Sequence, residues 1–225
     1  MYKKILLIIV GILITDFISA FNHWVEDNYL SYDSTIFSES AKSNTLHHYN
    51  PRAITCKSDL TFIFGKRFYY LTYLIIIIIC SMKNCYTLMY IFIGIFISTG
   101  LPEINHKYAH FSYCERPPLM TFLYSHNILV NNKQHKCHHD TNYSKHRYST
   151  FLSFTNYIYD DILDIWNNLE KIFPPCCKKT NNFPDQPKYI EKCPPPMTEE
   201  EKQFYENKLE KIQKKFSCCK KDYCN

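Results

Sequence analysis

The sequence predicts an all-α, multi-pass membrane protein: about three transmembrane helices, plus interfacial helices that carry a histidine-rich metal site. Three observations predict it. Apolar residues concentrate in three runs, over 5–22, 68–80 and 85–101, and leave the last third of the chain polar. With their flanks, the runs approach the ~20 residues that a bilayer-crossing helix needs. Eight of the ten histidines fall into tight groups beside those runs.

The first run follows a basic start, Met1 to Lys4. That start, an apolar core and Ile18-Ser19-Ala20 also fit a cleavable signal peptide. The apolar run continues past Asp16 through Phe17, Ile18 and Phe21 to His23 and Trp24, which favours a retained helix over 5–22. Asp16 is costly inside lipid and marks a function or a partner. The second span is Phe68–Cys80, with Lys66 and Arg67 placed to snorkel at its start. Ile75–Ile79 is β-prone, but the length and the Tyr and Lys flanks favour a helix. The third span is Cys85–Leu101, joined to the second by a tight turn at Ser81–Asn84.

Beyond the spans, Pro117-Pro118 opens Leu119–Val130, too short to cross and read as interfacial. Phe151–Phe173 reads as one amphipathic helix, with Phe154, Ile158, Ile162, Ile165, Leu169 and Ile172 at helical spacing. Pro174-Pro175 ends it. The chain thus divides into a membrane domain, residues 1–173, and a polar Cys-, Lys- and Pro-rich tail, residues 174–225. In the tail, Thr198 and Glu201 form a capping box for a charged, solvated helix to about Phe216.

Three spans put the end of the first, the start of the second and the end of the third on one side. All the histidine groups gather there. Most Lys and Arg lie there too, so the positive-inside rule makes that side, and the C-terminus, cytosolic, at the endoplasmic reticulum or another internal membrane. The net charge of +5 comes without a basic, aromatic-interleaved surface, which excludes a nucleic-acid partner. The tail pairs Lys178-Lys179, Lys214-Lys215 and Lys220-Lys221 suit anionic headgroups instead. Eleven cysteines suggest a secreted disulfide scaffold, but such domains lack long apolar spans. The adjacent pairs Cys176-Cys177 and Cys218-Cys219 also suit palmitoylation, and no regular pair of Cys-x-x-Cys motifs supports a zinc site.

The chemistry lies in His23; His47 and His48; His106 and His110; and His135, His138 and His139. One metal ion rarely takes more than about four protein ligands, so eight candidates suggest two ions. His106 and His110 are four apart and share one helix face. His135, His138 and His139 have offsets of three and four and are expected to converge. Asp16, Asp27 and Asp140 are candidates to hold imidazole N–H groups from behind. Cys137 reads as a packing residue. His126 and His146 read as ordinary surface histidines.

These residues resemble the Kua-type lipid desaturases, in order and spacing over about residues 15–173. The family's opening block stands here as Asp16-Phe-Ile-Ser19-Ala20-Phe-Asn-His23-Trp24-Val-Glu-Asp27. A His-His-x-x-Pro-x-x-Ile-Thr block matches His47 to Thr55, and a His-x-x-Ala-His block matches His106 to His110. Pro117-Pro118-Leu119 leads to Gln134-His135-Lys-Cys-His138-His139, and Asn156, Asp160 or Asp161, and Leu169-Glu170 match the closing blocks. Asp27-Asn28-Tyr29 follows the family's plastid branch rather than its plasmalogen branch. Ala20 replaces a family glycine, Tyr124 replaces a usual glutamine, and a Tyr-Cys block survives as Tyr148-Ser149.

The resemblance implies a diiron oxidoreductase, with two Fe ions on the eight histidines and Asn156 among the supporting residues. It would use O2 and two electrons from a donor of cytochrome b5 or ferredoxin type. Its substrate would be an acyl or alkyl chain within a phospholipid. Lipid hydroxylation on the same metals, or metal binding without catalysis, are the alternatives. The predicted topology has a simple test. Asn142-Tyr-Ser144 is a formal glycosylation sequon beside the histidines. It should stay unmodified in a eukaryotic host, as read by glycosidase-sensitive mobility; a glycan on Asn142 would put the site in the lumen.

Overall fold

The computed structural model describes residues 2–30, 34–49, 51–112, 115–140 and 146–175. The charged tail helix, the tail cysteine pairs and Asn142 lie outside them. Among the described residues the structure is helical, with one isolated antiparallel bridge between Leu129 and Leu152.

Helix α1, Tyr2–Tyr29, is longer than the apolar run that predicted it. Its buried residues are Gly11, Thr15, Asp16, Ala20, His23, Trp24 and Asp27, one stripe at helical spacing that runs from small residues to candidate ligands. Helix α2, Ser38–Tyr49, and a 3₁₀ turn, Pro51–Cys56, follow. Ser58 caps α3, Asp59–Gly65, by accepting from the Thr61 amide. The chain bends by 57° into α4, Arg67–Met82, so the second predicted span carries a broken N-terminal extension. Helix α5, Tyr86–Ser98, continues through a short break into α6, Leu101–Ala109, and the third span is longer than expected. Tyr2–Tyr29 and Tyr86–Ala109 are each long and apolar enough to cross a membrane; the bent α3–α4 pair makes a third if taken as one span.

Residue numbers rise together along the α1–α5 contact, from Lys4 over the Tyr90 ring to the Thr15–Ser98 hydroxyl bond at 2.8 Å. The two helices are therefore parallel. They touch through glycine. A Cβ on Gly11 would lie 2.1 Å from the Ile91 carbonyl oxygen, and one on Gly94 would lie 2.1 Å from that of Ile8. Close backbone approach through small residues is how apolar helices associate where water offers no drive. Helix α4 returns antiparallel, with Tyr70 against Phe96 and Tyr73 against Phe92.

Helix α7, Pro118–Ser125, and α8, Asn132–Asp140, carry the next segments. Asn131 and Gln134 cap α8 reciprocally: each backbone amide donates to the other's side chain. The single amphipathic helix expected over Phe151–Phe173 is not formed. The structure has a short α9, Ser153–Asn156, a π-helical turn, Tyr157–Ile162, and then α10, Ile165–Ile172. Asp164 sits at φ 47°, which ends the first part and redirects the second. The redirected α10 seats Trp166 against Ala20, Trp24, Tyr148 and Tyr159.

Gly11→Ala and Gly94→Ala should each force α1 and α5 apart, a strain of about 1–3 kcal/mol. Gly65 faces open space. Gly65→Ala should leave the thermal midpoint of the detergent-solubilised protein unchanged, while the other two lower it by several degrees.

Candidate metal centre

The structure gathers all eight predicted histidines and divides them. His47, His106, His110, His135 and His139 bring five ring nitrogens within 4.8 Å of one another. His23, His48, His138 and the carboxylate of Asp27 form a second such group. The groups are neighbours: the rings of His48 and His139 are 4.8 Å apart, and those of His23 and His106 are 5.5 Å apart. The expected convergence of His135, His138 and His139 is thus corrected. His135 and His139, one turn apart, share a group, and His138 faces the other. Helix α2 splits its adjacent pair the same way, because neighbouring residues point about 100° apart on a helix.

The hydrogen-bond pattern fixes which nitrogens face inward. His23 Nδ1 donates to the Tyr148 carbonyl at 3.0 Å, and His138 Nδ1 donates to the His146 carbonyl at 3.1 Å. In a neutral ring that leaves Nε2 as a lone pair. His138 Nε2 lies 3.1 Å from Asp27 Oδ2, acceptor against acceptor. His48 Nε2 lies 3.0 Å from Asp27 Oδ1, which also accepts from Asn44 Nδ2 at 2.8 Å. In the larger group, His135 Nε2 lies 2.8 Å from His110 Nε2 and 3.0 Å from His139 Nε2. One ring nitrogen has one in-plane position, so protons cannot satisfy both contacts. His106 and His47 repeat the approach, Nε2 to Nε2, at 2.8 Å. A cation at the centre of each group relieves these opposed lone pairs, so the residues present fit a bound metal.

Burial also holds the imidazoles in the ligand form. His47 and His135 have pKa values pushed well below the usual value, first by loss of water and then by neighbouring histidines. Burial takes His110 down to about 3, with His48 and Arg52 adding repulsion, and His139 to about 2.

The aspartates do not all stand where the sequence put them. Asp27 stands within the smaller candidate group, beside its imidazoles rather than behind them. The Asp140 side chain lies outside what the structure describes. Asp16 and Asn156 touch no imidazole and act one layer further out. Asp16 Oδ1 accepts from Ser149 Oγ at 2.7 Å and the Leu152 amide at 2.9 Å, and Oδ2 accepts from Tyr159 Oη at 3.2 Å. Asn156 clasps the Ser149 backbone, accepting from its amide at 3.0 Å and donating to its carbonyl at 2.9 Å. Asp160 Oδ2 accepts from the Arg147 amide at 3.0 Å. Together they fix residues 146–149, whose carbonyls orient His138 and His23. Sequence reasoning missed that role of the His146 and Tyr148 backbone; the only signal was the Tyr148-Ser149 block.

Tyr124, at the family's glutamine position, donates to Asn105 Oδ1 at 2.9 Å, next to His106. Glu170 accepts from Trp24 Nε1 at 3.3 Å. Cys137 is exposed rather than packed. The His146 side chain is half exposed and the His126 residue is exposed, as expected.

Comparison with known proteins agrees with this geometry. Residues 12–180 match the lipid desaturase domain, and the chain belongs to that family. A protein of Acanthamoeba polyphaga mimivirus named "Probable fatty acid desaturase" is 26% identical over 168 residues, which cover 74% of this chain and 80% of that protein. No solved structure matches the chain significantly.

Asp27→Ala should empty the smaller group and leave the larger one filled, halving the metal per chain in elemental analysis. Asn156→Ala should weaken retention against a chelator by about 10–100-fold, as loss of a supporting shell does. His146→Ala should retain the full complement, since the variant keeps the backbone carbonyl that orients His138.

Proposed function

We propose that this member of the lipid desaturase family is a Kua-type, diiron, O2-dependent desaturase of an acyl or alkyl chain within a phospholipid. The observation that carries the reading is the division of the eight histidines and Asp27 into two adjacent groups. Five donors in one group exceed the four of a closed zinc site, and imidazole with carboxylate suits iron. Two irons bound there would supply O2 activation: with two electrons and two protons, O2 takes two hydrogens from a –CH2–CH2– unit, leaving a cis or trans alkene and two waters.

The chain's own residues do the rest. His23, His48, His138 and Asp27 would hold one ion, and His47, His106, His110, His135 and His139 the other. The carbonyls of His146 and Tyr148 keep two rings in the binding tautomer. The apolar helices beneath present the lipid chain and keep water from the oxidant. Electrons come from a donor of cytochrome b5 or ferredoxin type on the side that carries the histidines, taken as the cytosolic face of the endoplasmic reticulum or another internal membrane. Residues 1–173 form the desaturase domain, and 174–225 a separate polar tail. Hydroxylation of the same chain is the nearest other outcome of this chemistry, and metal binding without catalysis the more distant one.

The site's level, at the ends of α1 and α6, supports a complete phospholipid as substrate: its headgroup would anchor there while its chain reaches the metals from the bilayer. Membranes containing the protein are given labelled phospholipid and labelled acyl-CoA separately, with His138→Ala as the blank. Label should appear in an alkene within intact phospholipid, and His138→Ala should abolish it. Desaturated acyl-CoA with unchanged phospholipid would overturn the substrate, and activity retained in His138→Ala would overturn the metal assignment.

A further inference from the structure

We propose that α7, the loop over 126–131 and the segment over 147–163 form a wedge that dips into the bilayer beside α1. Its outer face contacts the acyl chains of the leaflet nearest the metal groups. The proposal rests on α1 as a membrane span and is independent of the reaction.

Helix α1 itself serves as a depth gauge. Its apolar run ends at Phe21, next to Asn22 and His23. At a rise of 1.5 Å per residue, Asp16 lies about 10 Å, and Ile12 about 16 Å, on the membrane side of His23. The wedge meets α1 at those levels. Asp16 is fully buried and bonds Ser149, the Leu152 amide and Tyr159. The Phe17 ring packs on Tyr159 and Trp166, at 5.6 and 6.3 Å. Ile12 packs against the cluster of Tyr124, Leu129 and Phe151.

The backbone of the wedge is built for a place without water. Non-helical chain survives at membrane depth only where its polar groups find partners inside the protein. Here the Val130 amide donates to Phe151 O at 2.9 Å, and the Ser153 amide to Ile128 O at 3.1 Å. Asn105, buried on α6, donates to the carbonyls of both Val130 and Thr150, at 3.1 and 2.6 Å. The tip satisfies itself: Ser125 Oγ and His126 Nδ1 both donate to Phe122 O, at 2.8 and 2.9 Å. A segment lying in solvent has no need of buried Asp16, Asn105 and Asn156 to satisfy its main chain.

The exposed side of the wedge is mainly apolar; its exposed polar residues are Ser125, His126, Asn127 and Asp161, the last paired with Arg147 at 3.1 Å. Leu119, Phe122, Phe154, Tyr157, Ile162 and Leu163 are each more than half exposed. Phe17 and Phe21 of α1 stack at 6.5 Å and are themselves partly exposed, so the patch adjoins a helix face already in lipid. That adjacency, together with the depth, makes hydrocarbon the occupant rather than a second protein.

The test places a photoreactive benzoylphenylalanine at Phe122, Phe154 or Tyr157, one per variant of the full chain, in phosphatidylcholine vesicles. Ile78, exposed on α4, is the lipid-facing reference, and exposed Lys133 on α8 is the aqueous one. Adducts are read by mass spectrometry after illumination. A variant that does not elute as monodisperse protein is replaced by the same probe at Ile162. Lipid adducts at the level of Ile78, with none at Lys133, are the expected result. Lipid adducts at Ile78 but not at the wedge would overturn the proposal. So would crosslinks from the wedge to a second copy of the chain, which would make this face a dimer interface.

Discussion

The structure depends on aiming many neutral imidazole lone pairs at two points in a dry interior. Left alone, those lone pairs repel one another, and the rings turn away or take up protons. Loss of water opposes protonation at His47, His110, His135 and His139. Rotation has to be opposed from behind. For His23 and His138 that duty falls to main-chain carbonyls, and a carbonyl orients a ring only as well as its own segment is held. Asp16, Asn156 and Asp160 hold residues 146–149, which explains three buried polar side chains that touch no imidazole of the two groups.

One stripe of α1 links membrane packing to the site. Gly11 brings the helix against α5 backbone to backbone, Thr15 bonds Ser98, Asp16 and Ala20 receive the C-terminal segments, and His23 and Asp27 reach the metal group. Because α1 and the α5–α6 run lie parallel, a close approach at the glycines fixes the register at the far end, where the His23 and His106 rings sit 5.5 Å apart. The clash that a side chain at Gly11 or Gly94 would make is thus coupled, through the register of the two helices, to the histidine groups several helical turns away.

Much of this was legible in the chain. The apolar runs gave the spans, and the histidine spacing gave helical presentation. The partition of the histidines was not read: the spacing of His135, His138 and His139 suggested one convergent set, whereas adjacent positions on a helix point about 100° apart and His138 faces the other group. The break at Asp164 was not readable. Ile158, Ile162, Ile165, Leu169 and Ile172 keep helical periodicity straight through it, and the packing of Trp166 overrides that local pattern. The partner of Asp16 was equally hidden, since Ser149 lies 133 residues away and nothing local announces the pairing. An acidic residue in an apolar run signals a partner without naming it.

Asp27 makes the two groups electrostatically unequal. One holds three imidazoles and a carboxylate; the other holds five imidazoles and no carboxylate. Coulomb attraction in a poorly hydrated site adds to donor bonding only in the first. The Asn44 amide donates to the Asp27 carboxylate at 2.8 Å and holds that charge beside His48 and His138, whose Nε2 atoms lie 3.0 and 3.1 Å from its two oxygens. At the edge of the second group, the Arg52 guanidinium donates to the His110 carbonyl and adds positive charge, which Glu115 offsets through a two-point ion pair at 2.8 and 2.7 Å. Five neutral donors must therefore do by number what the other group does by charge. That difference is built into α1, whose Asp27 supplies the single carboxylate of the two candidate groups and so gives the smaller one the stronger pull on any cation.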